Sequence, residues 1–208
     1  MRYRCIGCHW SDSPRTLTAK STGLVCGASF NMTQLWNLDG KWLATAADWL
    51  AAEENYRWLD FGGDVQILTP MLLQVMVQRD IHCLRLFAPP ESEQPIGIVG
   101  LSSITDFFKT ATLWYVLGDK TYATGGYTTQ AVRQLLDHGF GSLGLQAINA
   151  WAVEGNVASI RVLEKTGFRP IGRQRRCHRL GDRYLDRLLF DLLAHEHRRT
   201  KCLKAPSH

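Results

Sequence analysis

The stretch Trp114-Tyr-Val-Leu-Gly-Asp-Lys-Thr-Tyr-Ala-Thr-Gly-Gly-Tyr-Thr-Thr-Gln-Ala-Val132 decides how this chain is read. Its first residues continue a run, Thr110–Leu117, that is rich in β-branched and aromatic side chains and reads as a strand. A loop with three glycines follows from Gly118 to Gly126, and a long helix is expected from Tyr127 to Phe140. The first N–H groups of a helix have no partner within it, and they sit at the positive end of the dipole, so a helix start attracts anions. Gly125 and Gly126 let the backbone approach such an anion with no Cβ in the way. The expected ligand of the loop is therefore a pyrophosphate. Its spacing differs from two common phosphate loops: Tyr127 follows Gly126 where a P-loop needs lysine, and this loop lacks the three glycines spaced Gly-x-Gly-x-x-Gly. On this stretch alone, an ordinary glycine loop between a strand and a helix reads equally well.

Working outward, Ala147–Val153 reads as the next strand, and Asn156 caps a short helix that ends at Gly167, a natural C′ residue. Phe168–Arg179 and Tyr184–Leu193 form a hairpin around Gly181-Asp182. Toward the N-terminus, strands are expected at 81–87 and 95–104 about a Pro89-Pro90-Glu91 loop. Trp42, Ala46, Trp49, Leu50 and Tyr56 recur at helical spacing, which predicts one helix over 41–59. Phe61-Gly62-Gly63-Asp64 breaks the pattern, and Thr69-Pro70 starts a second helix that runs to Arg79. Two helices, a three-strand meander, then strand, helix, strand, helix and hairpin make an α/β (α+β) chain: one mixed sheet flanked by helices.

Bulk properties fit one such domain. A chain of 208 residues buries about 70% of its unfolded surface. Hydrophobic residues are 45% and charged residues 21%, the balance of a globular protein rather than a disordered one. No apolar run is long enough to cross a bilayer, and Met1-Arg-Tyr-Arg-Cys-Ile-Gly-Cys lacks a secretory h-region, so a cytoplasmic location is expected. The six cysteines, at 5, 8, 26, 83, 177 and 202, should then be reduced. Cys5, Cys8 and His9 match the Cys-x-x-Cys-His of c-type haem attachment, but that chemistry normally needs export, and no second Cys-x-x-Cys completes a metal site. No metal is expected. Residues 1–30 are expected to be a loosely ordered extension, with Met32 as an alternative start, 31–196 the domain, and 197–208 a basic tail.

The net charge of +5 is concentrated at Arg173, Arg175, Arg176, Arg179, Arg183 and Arg187 and at the C-terminal end. Such clusters are usually solvated faces, and no nucleic-acid motif accompanies this one. An acidic substrate or a nucleotide phosphate is the functional alternative.

A second segment changes the weighting. Asn149-Ala-Trp-Ala-Val-Glu154-Gly-Asn156-Val-Ala-Ser159-Ile-Arg-Val-Leu-Glu164-Lys165-Thr-Gly167-Phe168 resembles the late core of the GNAT acetyltransferases, which show a strand, Asn-x-x-Ser/Ala and a short helix ending Glu-Lys-x-Gly-Phe. The loop from Gly118 to Ala131 is similar to the acetyl-CoA loop of the same family, and the two motifs stand in the family's order. The resemblance covers roughly residues 32–195 and is strongest over 95–190. Within the family it looks most like the branch acetylating N-terminal residues of ribosomal proteins. Two departures are visible. Ala123 and Thr128 replace a polar and a small residue of the loop, leaving backbone contacts from Gly125 to Thr129. Val162 and Leu163 stand where many members carry a tyrosine that serves as general acid.

The resemblance implies a GNAT-like acyl-CoA N-acyltransferase fold, acetyl-CoA as co-substrate, and two splayed parallel strands, Trp114–Leu117 and Ala147–Val153, that hold pantetheine. It implies cofactor contacts at Val116, Leu117, Thr124, Gly125, Gly126, Tyr127, Thr128, Thr129, Asn156 and Ser159. Ser159, in the first turn of its helix, is the candidate acid for the departing thiolate; helix-terminal hydrogen bonding is the bland alternative. Asp106, Tyr115 and His178 are candidates for the base by position. An exposed histidine among arginines is the plainer account of His178, and a turn residue that of Asp106. Trp58, Leu59 and Phe61 fall where the family lines its acceptor groove, and are otherwise core. The expected partner is a small-molecule or peptide amine, with no membrane, no nucleic acid, and homodimerisation left open. The competing function is a non-catalytic acyl-CoA-binding regulatory domain.

Overall fold

The computed structural model describes residues 32–60 and 68–202. The expected extension at 1–30, with Cys5, Cys8 and His9, lies outside them, as do Phe61, the glycine break at 61–64 and residues from 203 onward. Seven strands are described: β1 (Gln34–Asn37), β2 (Cys83–Ala88), β3 (Gly97–Thr105), β4 (Thr110–Leu117), β5 (Ala147–Val153), β6 (Arg169–Leu180) and β7 (Arg183–Leu193). They form one sheet in the order β1-β2-β3-β4-β5-β7-β6. Each neighbouring pair is antiparallel except β4 and β5, which are parallel. The expected mixed sheet is therefore present.

Helices cover both faces: α1 (Leu43–Ala51), α2 (Glu53–Tyr56), α3 (Pro70–Val77), α4 (Tyr127–Gly141), α5 (Val157–Thr166) and α6 (Ala194–Cys202). Alternation along β4 assigns the faces, because successive side chains of a strand point oppositely. Ala111 and Leu113 pack with Val132, Leu135 and Leu136 of α4. Val116 packs with Leu43, Ala46, Ala47 and Leu50 of α1 and with Leu73 and Met76 of α3. Each fully buried leucine contributes about 1.5–3 kcal/mol relative to an exposed one. No described helix is long and apolar enough to cross a membrane.

Local chemistry sets the helix ends. Thr69 Oγ1 accepts from Leu72 N–H at 3.3 Å, with Pro70 at the first helical position of α3. Asn156 accepts from Ser159 N–H at 3.2 Å, and α5 ends at Gly167 with φ +96°.

The structure departs from the sequence reading in three places. The single helix over 41–59 is a 3-10 turn at Gly40–Trp42, then α1, then α2, because Ala52 is extended between them. Strand β1 was not expected: its four residues are too few to show a period, and Gln130 Oε1 of α4 fixes their approach by accepting from Thr33 N–H at 3.1 Å. Helix α6 carries the chain past position 196, with His197 buried and its Nε2 2.6 Å from Asp137 Oδ1 on α4.

Candidate active site

Strands β4 and β5 pair only at Thr110–Ala147, Ala111–Ile148 and Thr112–Asn149, and beyond that point they separate. Each is held on its outer edge by a full-length antiparallel partner: β4 by β3, and β5 by β7. Between the diverging strands, peptide groups are left facing a cleft. Which groups these are follows from alternation, since the N–H and C=O of one strand residue point the same way. Gly118 N–H donates to Ile96 O at 2.8 Å on the β3 side, so Val116 also faces β3 and Tyr115 and Leu117 face the cleft. Glu154 N–H donates to Asp186 O at 3.0 Å, so Trp151 and Val153 face the cleft from β5. Of the expected pair Val116 and Leu117, Leu117 presents backbone to the cleft, whereas Val116 turns its backbone to β3 and its buried side chain into the α1–α3 core.

Two hydroxyls close one side of this cleft. Tyr115 Oη lies 2.9 Å from Ser159 Oγ and 2.9 Å from Ser159 O. Burial raises the Tyr115 pKa well above its ordinary 10.0, and the hydrogen bond to Ser159 opposes the shift only in part. The phenol therefore stays protonated at neutral pH and is available there as a hydrogen-bond donor. Ser159 stands in the first turn of α5, at the positive end of its dipole.

The glycine loop ends on α4 as expected. Gly126 is left-handed, φ +73°, and a Cβ there would meet nothing within 4 Å, so the backbone is open on that side. The first bond of the helix runs from Gln130 N–H to Gly126 O at 3.1 Å, so the N–H groups of Tyr127, Thr128 and Thr129 lie outside its ladder. Gly125 N–H is committed to Tyr122 O at 3.2 Å, and a Cβ on Gly125 would stand 2.2 Å from the Tyr127 ring. Gly125 thus serves close packing, a role its place in the motif does not reveal. Thr124 lies beside it in the same turn.

On the opposite face, an open groove of about 670 Å3 is lined by Trp42, Trp49, Glu54, Gly118, Asp119 and Lys120, among others. Trp49 lies so close over Gly118 that a Cβ would come within 2.2 Å of its ring. Lys120 Nζ donates to Leu117 O at 2.6 Å and also to Asn55 Oδ1, with Glu54 Oε1 at 3.9 Å. Burial lowers the Lys120 pKa, and Glu54 counteracts part of that. Sequence spacing does not single out Lys120, because its significance comes from α2, 65 positions away.

His178 was expected to be an exposed strand histidine; it is 5% exposed. Nε2 is 2.8 Å from Arg57 O, and Arg187 Nη2 donates to Nδ1 at 3.2 Å, which makes Nε2 the protonated nitrogen. Arg187 also pairs with Asp60 and lies over the Trp151 ring at 4.2 Å. Asp106 is excluded as base: it is exposed in the β3–β4 turn, paired with Lys109 at 3.2 Å, at the closed end of the strands. Arg173 is tied to Asp186 at 3.0 Å, so the arginine cluster is partly neutralised within its own hairpin. Trp58 approaches Gly155 after β5, while Leu59 packs into the α1–α3 core. Among the described residues, no three His, Cys, Asp or Glu side chains gather to hold a metal.

Residues 35–169 match the family model described as the acetyltransferase (GNAT) domain. The chain is 32% identical over 107 residues to an uncharacterized N-acetyltransferase p20 of Bacillus licheniformis, spanning 51% of this chain and 60% of that protein. In fold it is similar to the ribosomal-protein-S5-alanine acetyltransferase of Vibrio fischeri, with TM-score 0.67 and 22% identity over 79% of this chain and 94% of that one. It is also similar to the spermidine N-acetyltransferase of Vibrio cholerae solved with CoA and spermine, with TM-score 0.70 and 16% identity over 80% of this chain and 98% of that one. A mixed sheet that opens between its two parallel strands, with the family match extending through both, leads to one assignment: the chain belongs to the GNAT acetyltransferase family.

Proposed function

We propose that the chain moves an acetyl group from acetyl-CoA to an amine. The observation that supports this most is the divergence of β4 and β5, which leaves Tyr115 and Leu117 facing Trp151 and Val153 across a gap with no β4–β5 ladder, beside the Tyr115 and Ser159 hydroxyls. The amides of pantetheine bond to such edges as an added strand would. The N–H groups of Tyr127, Thr128 and Thr129, with the bare backbone of Gly126, suit a pyrophosphate, and Thr124 and Gly125 shape the turn before them. Asn156 keeps α5 capped beside the chain of the co-substrate.

Acetyl-CoA supplies the activated acyl group and a thiolate leaving group. Ser159 delivers the proton that the sulfur needs, and Tyr115 steers that hydroxyl. With α4, α5 and this pair filling one face, the amine approaches from the groove at Trp42 and Trp49. Trp42 and Trp49 line that groove with the Glu54 and Asp119 carboxylates and the Lys120 ammonium, a lining that offers an amine apolar contact and hydrogen-bond acceptors. The amine's proton leaves to water in that groove, and His178 serves to hold the α2 end against the hairpin.

Calorimetry with acetyl-CoA tests the reading, with wild type beside Gly126→Glu, whose carboxylate repels the pyrophosphate. Micromolar binding that the variant loses, followed by thiol release with a panel of amines, is the expected result. A folded wild type that binds nothing overturns the reading. Binding without thiol release from any amine favours an acyl-CoA-binding regulatory domain.

A further inference from the structure

Lys120 is an amine that the chain itself places at the cleft. Its Nζ rests 2.6 Å from Leu117 O, the last carbonyl of the open β4 edge. It lies on the groove side, bonded to Asn55 Oδ1, which is the face left for an incoming acceptor. We propose that Lys120 is a self-acetylation site: its amine takes the acetyl group from acetyl-CoA held in the same molecule's cleft. The inference rests on the reading of the cleft as an acetyl-CoA site.

The chemistry balances without a further reagent. The ammonium first loses one proton to water in the groove. The Nζ lone pair then attacks the thioester carbonyl carbon; the C–N bond forms and the C–S bond breaks. Sulfur leaves with the bonding pair and is protonated, while nitrogen gives up its surplus proton. The products are an acetylated Lys120 and free CoA thiol. Partial burial makes the first step easier by lowering the pKa of this amine, even with Glu54 nearby. Acetylation removes the charge and two of the three N–H donors that now bind Leu117 O and Asn55, and leaves the acyl group among the groove residues. Modified molecules are thereby closed to an external amine.

Full-length protein incubated with acetyl-CoA and digested with trypsin provides the test. Acetylation blocks cleavage after Lys120, so it joins residues 110–120 and 121–133 into one peptide carrying one acetyl mass. The exposed Lys165 reports background chemistry. Lys120 is expected to be modified at least about tenfold faster than Lys165, because a held amine has a high effective concentration. The rate is expected to be unchanged when the protein is diluted. Lys120→Arg, which keeps the cation and its donors, should bind acetyl-CoA and lack the joined acetylated peptide. Binding in the wild type with Lys120 modified no faster than Lys165, or at a rate that rises with protein concentration, overturns the inference alone. Absence of acetyl-CoA binding overturns both it and the functional reading.

Discussion

The hydroxyls of Tyr115 on β4 and Ser159 on α5 stand 2.9 Å apart, although 44 positions separate them in sequence. Tyr115 has one proton and two acceptors within reach, Ser159 Oγ and Ser159 O. When it donates to the carbonyl, the Ser159 proton points back to Tyr115. When it donates to Oγ, the Ser159 proton is released toward the cleft. The second arrangement is the one that protonates a thiolate, so the phenol controls where the serine proton goes.

Substitutions should separate these roles. Ser159→Ala is expected to lower kcat about a hundredfold with acetyl-CoA affinity unchanged, the low end for a general acid because a thiolate leaves readily. Tyr115→Phe removes the steering and should cost about tenfold. The double variant should be no slower than Ser159→Ala, since Tyr115 acts through Ser159. Steady-state kinetics with calorimetric binding checks this, and additive losses would mean that Tyr115 reaches the reacting atoms independently.

Tyr115 also links stability to alkaline pH. Burial holds its folded pKa above the unfolded value of 10.0, so the native state keeps a proton that the unfolded state gives up. This contribution is complete below pH 10 and is lost as pH rises through the folded pKa. Denaturant titrations from pH 9 upward should show the wild type losing stability beyond pH 10, with a shallower decline in Tyr115→Phe. Parallel declines would place the linkage elsewhere.

Much of this architecture was legible in the chain. The Tyr127 helix, the Asn156 cap and the Gly181 turn follow from local chemistry, because a cap or a left-handed glycine is specified by neighbouring residues. Ser159 and the glycine loop were legible as an ordered pair of motifs. What escaped depends on distant partners. The burial of His178 is set by Arg57, 121 positions away, and Lys120 is placed by Asn55. Strand β1 is too short to show a period, and α2 is split from α1 by a single extended residue, Ala52. The use of Gly125 N–H inside its own turn is a backbone property that a motif conceals.

Gly126 allows backbone conformation and anion binding to be separated. Its φ of +73° strains any other residue, yet a Cβ would meet nothing within 4 Å. Gly126→Ala is expected to destabilise the fold by about 1 kcal/mol while acetyl-CoA affinity falls less than about tenfold. Gly126→Glu should carry a similar stability cost and lose binding altogether. Equal losses of affinity in the two variants would show that backbone geometry, not charge, governs the site.

His178 distinguishes a structural histidine from a catalytic one. Both ring nitrogens are engaged, Nε2 with Arg57 O and Nδ1 with Arg187, and the ring centroid lies 6.0 Å from that of Trp151. His178→Ala leaves the Arg57 carbonyl without its donor, with an expected stability loss of about 1–3 kcal/mol. His178→Gln offers an amide N–H to Arg57 O and an amide oxygen to Arg187, so it should recover most of that loss. If the histidine only holds α2 against the hairpin, both variants should retain kcat within about threefold at a temperature where they are folded. If it removes the proton from the amine, glutamine cannot replace it, and both should lose about 100-fold or more. Stability that recovers in His178→Gln while kcat stays low would therefore assign the proton transfer to His178.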